Sequence, residues 1–246
     1  MNTIAPSALS RQAVRAMVLI LLGTMMFLLV RYPGLPDILP VHFDRVGTPD
    51  GWQYRTVGRV MLPAFVQVVL SLSLGCIAAL LLSRSTRDHT PDAPDVLAAS
   101  AAAETVLLIA LIWVSFQAYA AFALVGIWTS GREGLGPVYV GLELVGLLLT
   151  VIVANRGHRR VGRPVPRPFV AEHWRIRQFY KNADDPALFV PTRDGSRWTL
   201  NFGRPMAAAL LGVVLAVGVL GPTLILILAL RYNFSAATSV SVVGGR

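Results

Sequence analysis

Apolar positions in this chain gather into five long runs with almost no polar interruption, at about Ala13 to Tyr32, Val60 to Leu82, Ala98 to Trp128, Gly134 to Ala154 and Met206 to Leu230. Each is near the ~20 residues a helix needs to cross a hydrocarbon core. The pattern predicts an all-α integral membrane protein with five transmembrane helices. Residues 1–154 form a four-helix region with a proline-rich outer loop at about 31–58. A basic cytoplasmic loop follows at 155–205, carrying a small interfacial hairpin, and then a fifth helix and short outer tail at 206–246. The first run follows Arg11 and Arg15 as a signal peptide would, but Arg31, Tyr32 and Pro33 come after it and no small-residue cleavage pattern does, so it reads as a retained helix.

Composition agrees with lipid as the solvent: 54% of residues are hydrophobic, 14% are charged and the mean hydropathy is +0.61. The net charge of +9 does not point to nucleic acid, because the basic residues stand beside the ends of the apolar runs. Of the 22 Lys and Arg residues, fifteen fall on one side of a five-span arrangement and seven on the other. The positive-inside rule then puts the N-terminus inside and the C-terminus outside. The single cysteine, Cys76, excludes an internal disulfide and a cysteine-based metal site. In the fifth run Gly218, Gly221 and Pro222 predict a kink, and no run contains GxxxG.

The outer loop reads RYPGLPDILPVHFDRVGTPDGWQYR. Leu39 to Phe43 predicts an edge strand, Thr48 to Gly51 a tight turn, and Trp52 a return to the interface. His42 and Asp44 share a strand face and form a weak candidate metal pair if Asp50 joins them. The alternative is that Asp44 and Asp50 cap turns. The inner loop changes at Trp174 from a basic run to an aromatic, turn-rich stretch. Extended segments are expected at Leu188 to Pro191 and Trp198 to Phe202.

Two families are resembled by these loops. The outer segment, through Leu35, Pro36, Pro40, His42, Phe43, Gly47, Pro49, Asp50 and Trp52, resembles the family called domain of unknown function 1648. The inner segment, about 174–205, resembles domain of unknown function 5808 through Phe179, Tyr180, Asn182, Asp185, Pro186, Phe189, Val190, Pro191, Gly195, Trp198, Thr199, Asn201 and Phe202. The first resemblance implies a bacterial plasma-membrane protein. It is distantly like an immunity and signalling membrane protein that protects cells from a secreted killing peptide and holds a small repressor at the membrane.

The candidate binding residues are therefore His42, Phe43, Gly47, Asp50 and Trp52 in the outer loop, and Tyr180, Asp185, Pro186, Phe189, Trp198, Asn201 and Phe202 in the inner one. Within the membrane, Glu104 and Glu143 are the charged residues away from run ends. Glu104 sits near a helix start, where the dipole favours it and headgroups are in reach. Glu143 shares its depth with Thr24, Gln67, Gln117 and Tyr119, which predicts a polar pocket in the outer half. The leading functional reading is a non-enzymatic sensor or immunity-type protein, with an extracellular peptide or lipid meeting the outer loop and a cytoplasmic protein meeting the inner one. A small transporter or channel around Glu143 is the alternative, and a metal-dependent membrane enzyme using His42 comes third. No cofactor is expected.

Overall fold

The computed structural model describes residues 4–44, 47–83, 94–131, 134–164, 168–176 and 178–216 of the 246. Four helices among them are long and apolar enough to span a membrane: α1 (Ala8–Arg31), α3 (Leu62–Leu82), α4 (Pro94–Ser130) and α5 (Gly136–Val161), with a single-turn α2 (Val57–Val60) leading into α3. The chain is a multi-pass membrane protein. The fifth run enters as α6 (Pro205–Leu215); the expected kink at Gly221 and Pro222 lies outside the described residues.

Helix limits follow local chemistry. Ser7 caps α1, its hydroxyl accepting from the Ser10 amide, while Pro33 follows closely on its end. Proline stands in the first turn of α3, α5 and α6, where its missing N–H leaves no intrahelical bond unmade. One boundary differs in a way that matters to the bundle. Helix α5 does not stop at Ala154 but runs on to Val161, ended by Gly162 at a φ of 67°. The arginines taken for loop residues therefore ride on its last two turns, where positive charge complements the helix C-terminus.

Helix α4 is the centre of the bundle, with α1, α3 and α5 packed on it and α6 against α3. Of its apolar window 39% is buried, against 6% for α5, which is peripheral. Lipid supplies no hydrophobic force between helices, so close approach of small residues has to bring them together. Buried Ala99, Ala103, Ala110 and Ala121 on α4 serve that purpose. On α5, a Cβ at Gly157 would stand 2.0 Å from the Thr105 hydroxyl, so only glycine permits this crossing.

The chain is not all-α. Strands β1 (Ile38–Phe43) and β2 (Pro49–Tyr54) form an antiparallel hairpin between α1 and α2. Between α5 and α6, β3 (Trp174–Arg175) pairs with β4 (Phe179–Tyr180), and β5 (Phe189–Pro191) with β6 (Trp198–Leu200). A parallel bridge from Tyr180 to Asn201 joins these two ribbons into one module where the sequence led us to expect a single hairpin.

Candidate functional site

At one end of the bundle the β1–β2 hairpin stands on an apolar anchor. Leu39 is fully buried in a cluster with Leu28, Val60, Ala121, Val125 and Trp128. The Trp128 indole donates to the Pro40 carbonyl (3.0 Å). From below, the Arg55 guanidinium donates to the carbonyls of Tyr32 and Leu35 and lies 5.1 Å over the Tyr32 ring. The tight turn is not Thr48 to Gly51, as the sequence led us to expect, because Pro49 to Gly51 belong to β2. It lies earlier: Gly47 takes a φ of 87°, its amide donates to the Asp44 carbonyl, and the Asp44 carboxylate accepts from the Thr48 amide.

That shift decides what His42 faces. Its Nδ1 meets the Asp50 carboxylate across the ladder, on a face half open to solvent. Gly51 lies directly opposite, where a Cβ would come within 2.9 Å of the His42 Cβ. With Nδ1 engaged, Nε2 is the nitrogen left to act outward. The Asp44 carboxylate serves the turn, and the carboxylate that meets His42 Nδ1 is that of Asp50. Among the described residues no group of three or more His, Cys, Asp or Glu side chains could hold a metal. Phe43 is half-buried, and Trp52 is 58% exposed on β2.

The module at residues 168–204 occupies the opposite end, beside the start of α1 and the end of α5. Phe189 and Leu200 pack against the bundle core, and the Trp198 indole donates to the Gly162 carbonyl (3.3 Å). Its strands are too short for their ladders to satisfy the backbone, and buried polar side chains do so instead. Asn201, fully buried, donates to the carbonyls of Asn182 (2.8 Å), Asp185 (3.1 Å) and Ala187 (3.2 Å) and accepts from the Asn182 and Gly203 amides. Asp185, 1% exposed, accepts from the Ala187 amide and the Tyr180 hydroxyl.

Beside this network opens a cavity of about 340 Å³ lined by Phe169, His173, Trp174, Tyr180, Asp185 and Arg193 together with smaller residues. Its rings pack on one another: Trp174 meets Tyr180 edge-on at 5.4 Å and Phe169 stacks on Trp174 at 6.5 Å. The Arg193 guanidinium lies 4.5 Å over Phe169. Of the inner residues singled out from sequence, Tyr180 and Asp185 line this cavity; Pro186, Phe189, Trp198, Asn201 and Phe202 do not. Phe189, Trp198, Asn201 and Phe202 hold the module together or fix it to the bundle, as when Phe202 packs edge-on against Phe179. Phe169, His173, Trp174 and Arg193 were missed. The recurrence of aromatics at Phe169, Trp174 and Tyr180 was the available signal.

Within the membrane the expected polar pocket does not assemble around Glu143. Gln67, fully buried, donates to the Thr24 hydroxyl (3.1 Å) and the Val114 carbonyl (2.9 Å) inside the bundle, and its Oε1 has no hydrogen-bond partner among the described residues. Glu143 is exposed on α5, beside Tyr139; Gln117 and Tyr119 are half-buried on α4. Glu104 does not reach for headgroups. It is 5% exposed, accepts from the Ser7 hydroxyl (2.7 Å), and forms an ion pair with Arg160 of α5. The extra turns of α5 make that pair, and Gly162 followed by Pro164 was the readable stop signal.

Comparison with known proteins bears on the hairpin end. Residues 19–66 match the Domain of unknown function (DUF1648). No curated protein and no solved structure matches the chain. The DUF1648 match takes in the second half of α1, the whole hairpin and the start of α3, about a fifth of the sequence. It is thus a helix–hairpin–helix unit in which His42, Gly47, Asp50 and Gly51 have the structural roles described above. The match ends at residue 66, well before residues 174–205.

Proposed function

We propose that this chain is a non-enzymatic membrane protein of the sensor or immunity type, in which the 168–204 module receives a segment of a cytoplasmic protein and the DUF1648 hairpin faces outward toward a peptide or lipid. The observation that carries the reading is the aromatic cavity of about 340 Å³, built on a module fixed to the helix bundle. Stacked rings with the Arg193 guanidinium over one of them suit an apolar or acidic peptide side chain. The excess of Lys and Arg on the module's side supports its placement in the cytoplasm of a bacterial cell.

Full-length tagged protein, extracted from native membranes in mild detergent, tests this. Wild type and a Trp174→Ala, Arg193→Ala double variant are compared by mass spectrometry of what co-purifies. Both substitutions strip the cavity and spare the Asn201 network. A soluble protein held by wild type and lost from the variant supports the reading; lipid alone with both rejects it.

A further inference from the structure

A second concavity, independent of that module, runs between α1 and α3. It is a groove of about 520 Å³ whose walls are Val14, Gly75, Ala78, Ala79, Leu82 and their neighbours, with Arg11 and Arg15 at its mouth. The walls belong to the membrane-spanning parts of both helices, at a depth where acyl chains are the ambient apolar molecules. The two arginines stand one helical turn apart and are both exposed. Arg11 donates to the Pro6 carbonyl (2.6 Å), while Arg15 has no hydrogen-bond or ion-pair partner among the described residues. Among the described residues no acidic side chain lines the groove.

A contrast inside the same protein sharpens the point. The cleft between α4 and α5 also has arginines at its rim, Arg156 and Arg160, but Glu104 lines it and pairs with Arg160. Its charge is answered from within. At the α1–α3 groove no acidic side chain among the described residues answers the charge, and the apolar volume beneath it is open: a Cβ at Gly75 would meet nothing within 4 Å.

We propose that the α1–α3 groove is a binding site for one anionic phospholipid, an acyl chain lying over Gly75 and Ala78 and the headgroup phosphate held by Arg11 and Arg15. Paired cations above an intramembrane cleft match a lipid phosphate in both charge and depth. A zwitterionic lipid fills the groove equally well but gains less from the arginines.

Native mass spectrometry of the full-length protein, delipidated and then supplied with dioleoyl phosphatidylglycerol, dioleoyl phosphatidylcholine or inorganic phosphate, tests this. Wild type is expected to retain one phosphatidylglycerol in preference to phosphatidylcholine, and Arg15→Gln to lower that preference about fivefold, with Arg15→Lys restoring most of it. Gly75→Leu fills the groove and is expected to abolish retention of either lipid. Ala79→Leu, an exposed position on the same wall, repeats that blockade should Gly75→Leu disturb the helix. Equal retention of the two lipids by wild type overturns the proposal. So does a phosphate adduct that persists in Gly75→Leu, which marks a bare anion site, or a dimer in place of bound lipid, which marks the groove as a contact between copies.

Discussion

The hairpin and the 168–204 module sit at opposite ends of one bundle and are stabilised in opposite ways. Strands β1 and β2 are six residues each and pair along most of their length, and side chains hold the hairpin from beneath, through Leu39, Trp128 and Arg55. Strands β3 to β6 are two or three residues each, and Asn201 and Asp185 must make the backbone hydrogen bonds that the ladders cannot. An isolated two-stranded ribbon is marginal in water, so both need outside help. What differs is whether that help comes from the bundle or from a buried polar network. A network of this kind is all or nothing, because each unmade bond strands a buried group. The hairpin can therefore present His42 and Asp50 openly on a durable frame, whereas the module encloses a cavity inside a frame that one substitution can dismantle.

The sharpest way to break this contrast is Asn201→Ala. The change leaves three carbonyls and two amides short of a partner, and a single buried unsatisfied group already costs about 1–3 kcal/mol. We expect at least about 3 kcal/mol of local destabilisation on that basis. Amide exchange of the detergent-solubilised protein should quicken across 179–204 and stay unchanged across 38–54. Retained protection in the module would mean that its strands are self-sufficient after all.

Next in size is Arg55→Ala. Hydrogen bonds from a charged donor contribute about 1.5–3 kcal/mol, and this guanidinium serves the carbonyls of Tyr32 and Leu35 at once. A loss of about 2 kcal/mol is expected in the same assay, confined to residues 32–55. Arg55→Lys should recover less than half of it, since an ammonium cannot reproduce the fork. Trp128→Phe is smaller: the ring stays in its cluster and only the bond to the Pro40 carbonyl is lost, for about 1 kcal/mol. A larger effect would show that the ring, not the N–H, seats the hairpin.

The two ends also differed in how far they could be read from the sequence. Uninterrupted apolar runs located the four long helices and the start of the fifth, because in lipid the helix is the available answer for a backbone with no water to bond. The existence of both loop structures was legible from turn residues. Register was not. Whether Gly47 or Gly51 closes the hairpin depends on which one must take a positive φ and which one lies under His42, and both read simply as glycine. In the module, Trp198, Asn201 and Phe202 stood out as aromatic or polar, but a buried staple and a cavity wall use the same residue types. Glu104 was misjudged because its partner, Arg160, lies 56 residues away on a helix extended past its apolar run.

The smallest predicted effect tests the contrast within the module itself, at the exposed turn between β5 and β6. Asp194 accepts hydrogen bonds from the Ser196 hydroxyl, from the Thr192 hydroxyl and from the Ser196 amide, and these hold its pKa down at about 2 from an ordinary 3.8. A depressed carboxylate stabilises the folded turn above its unfolded pKa, and that contribution fades as pH falls from about 3.8 through about 2. The Ser196 amide chemical shift should therefore titrate with a midpoint near 2, and Asp194→Asn should remove the titration. The Asn201 side-chain amide signals should not follow it, because none of the Asn201 hydrogen bonds involves Asp194. A midpoint near 4 would mean the hydroxyls are not engaged, and a network that moved with Asp194 would join turn and core into one unit.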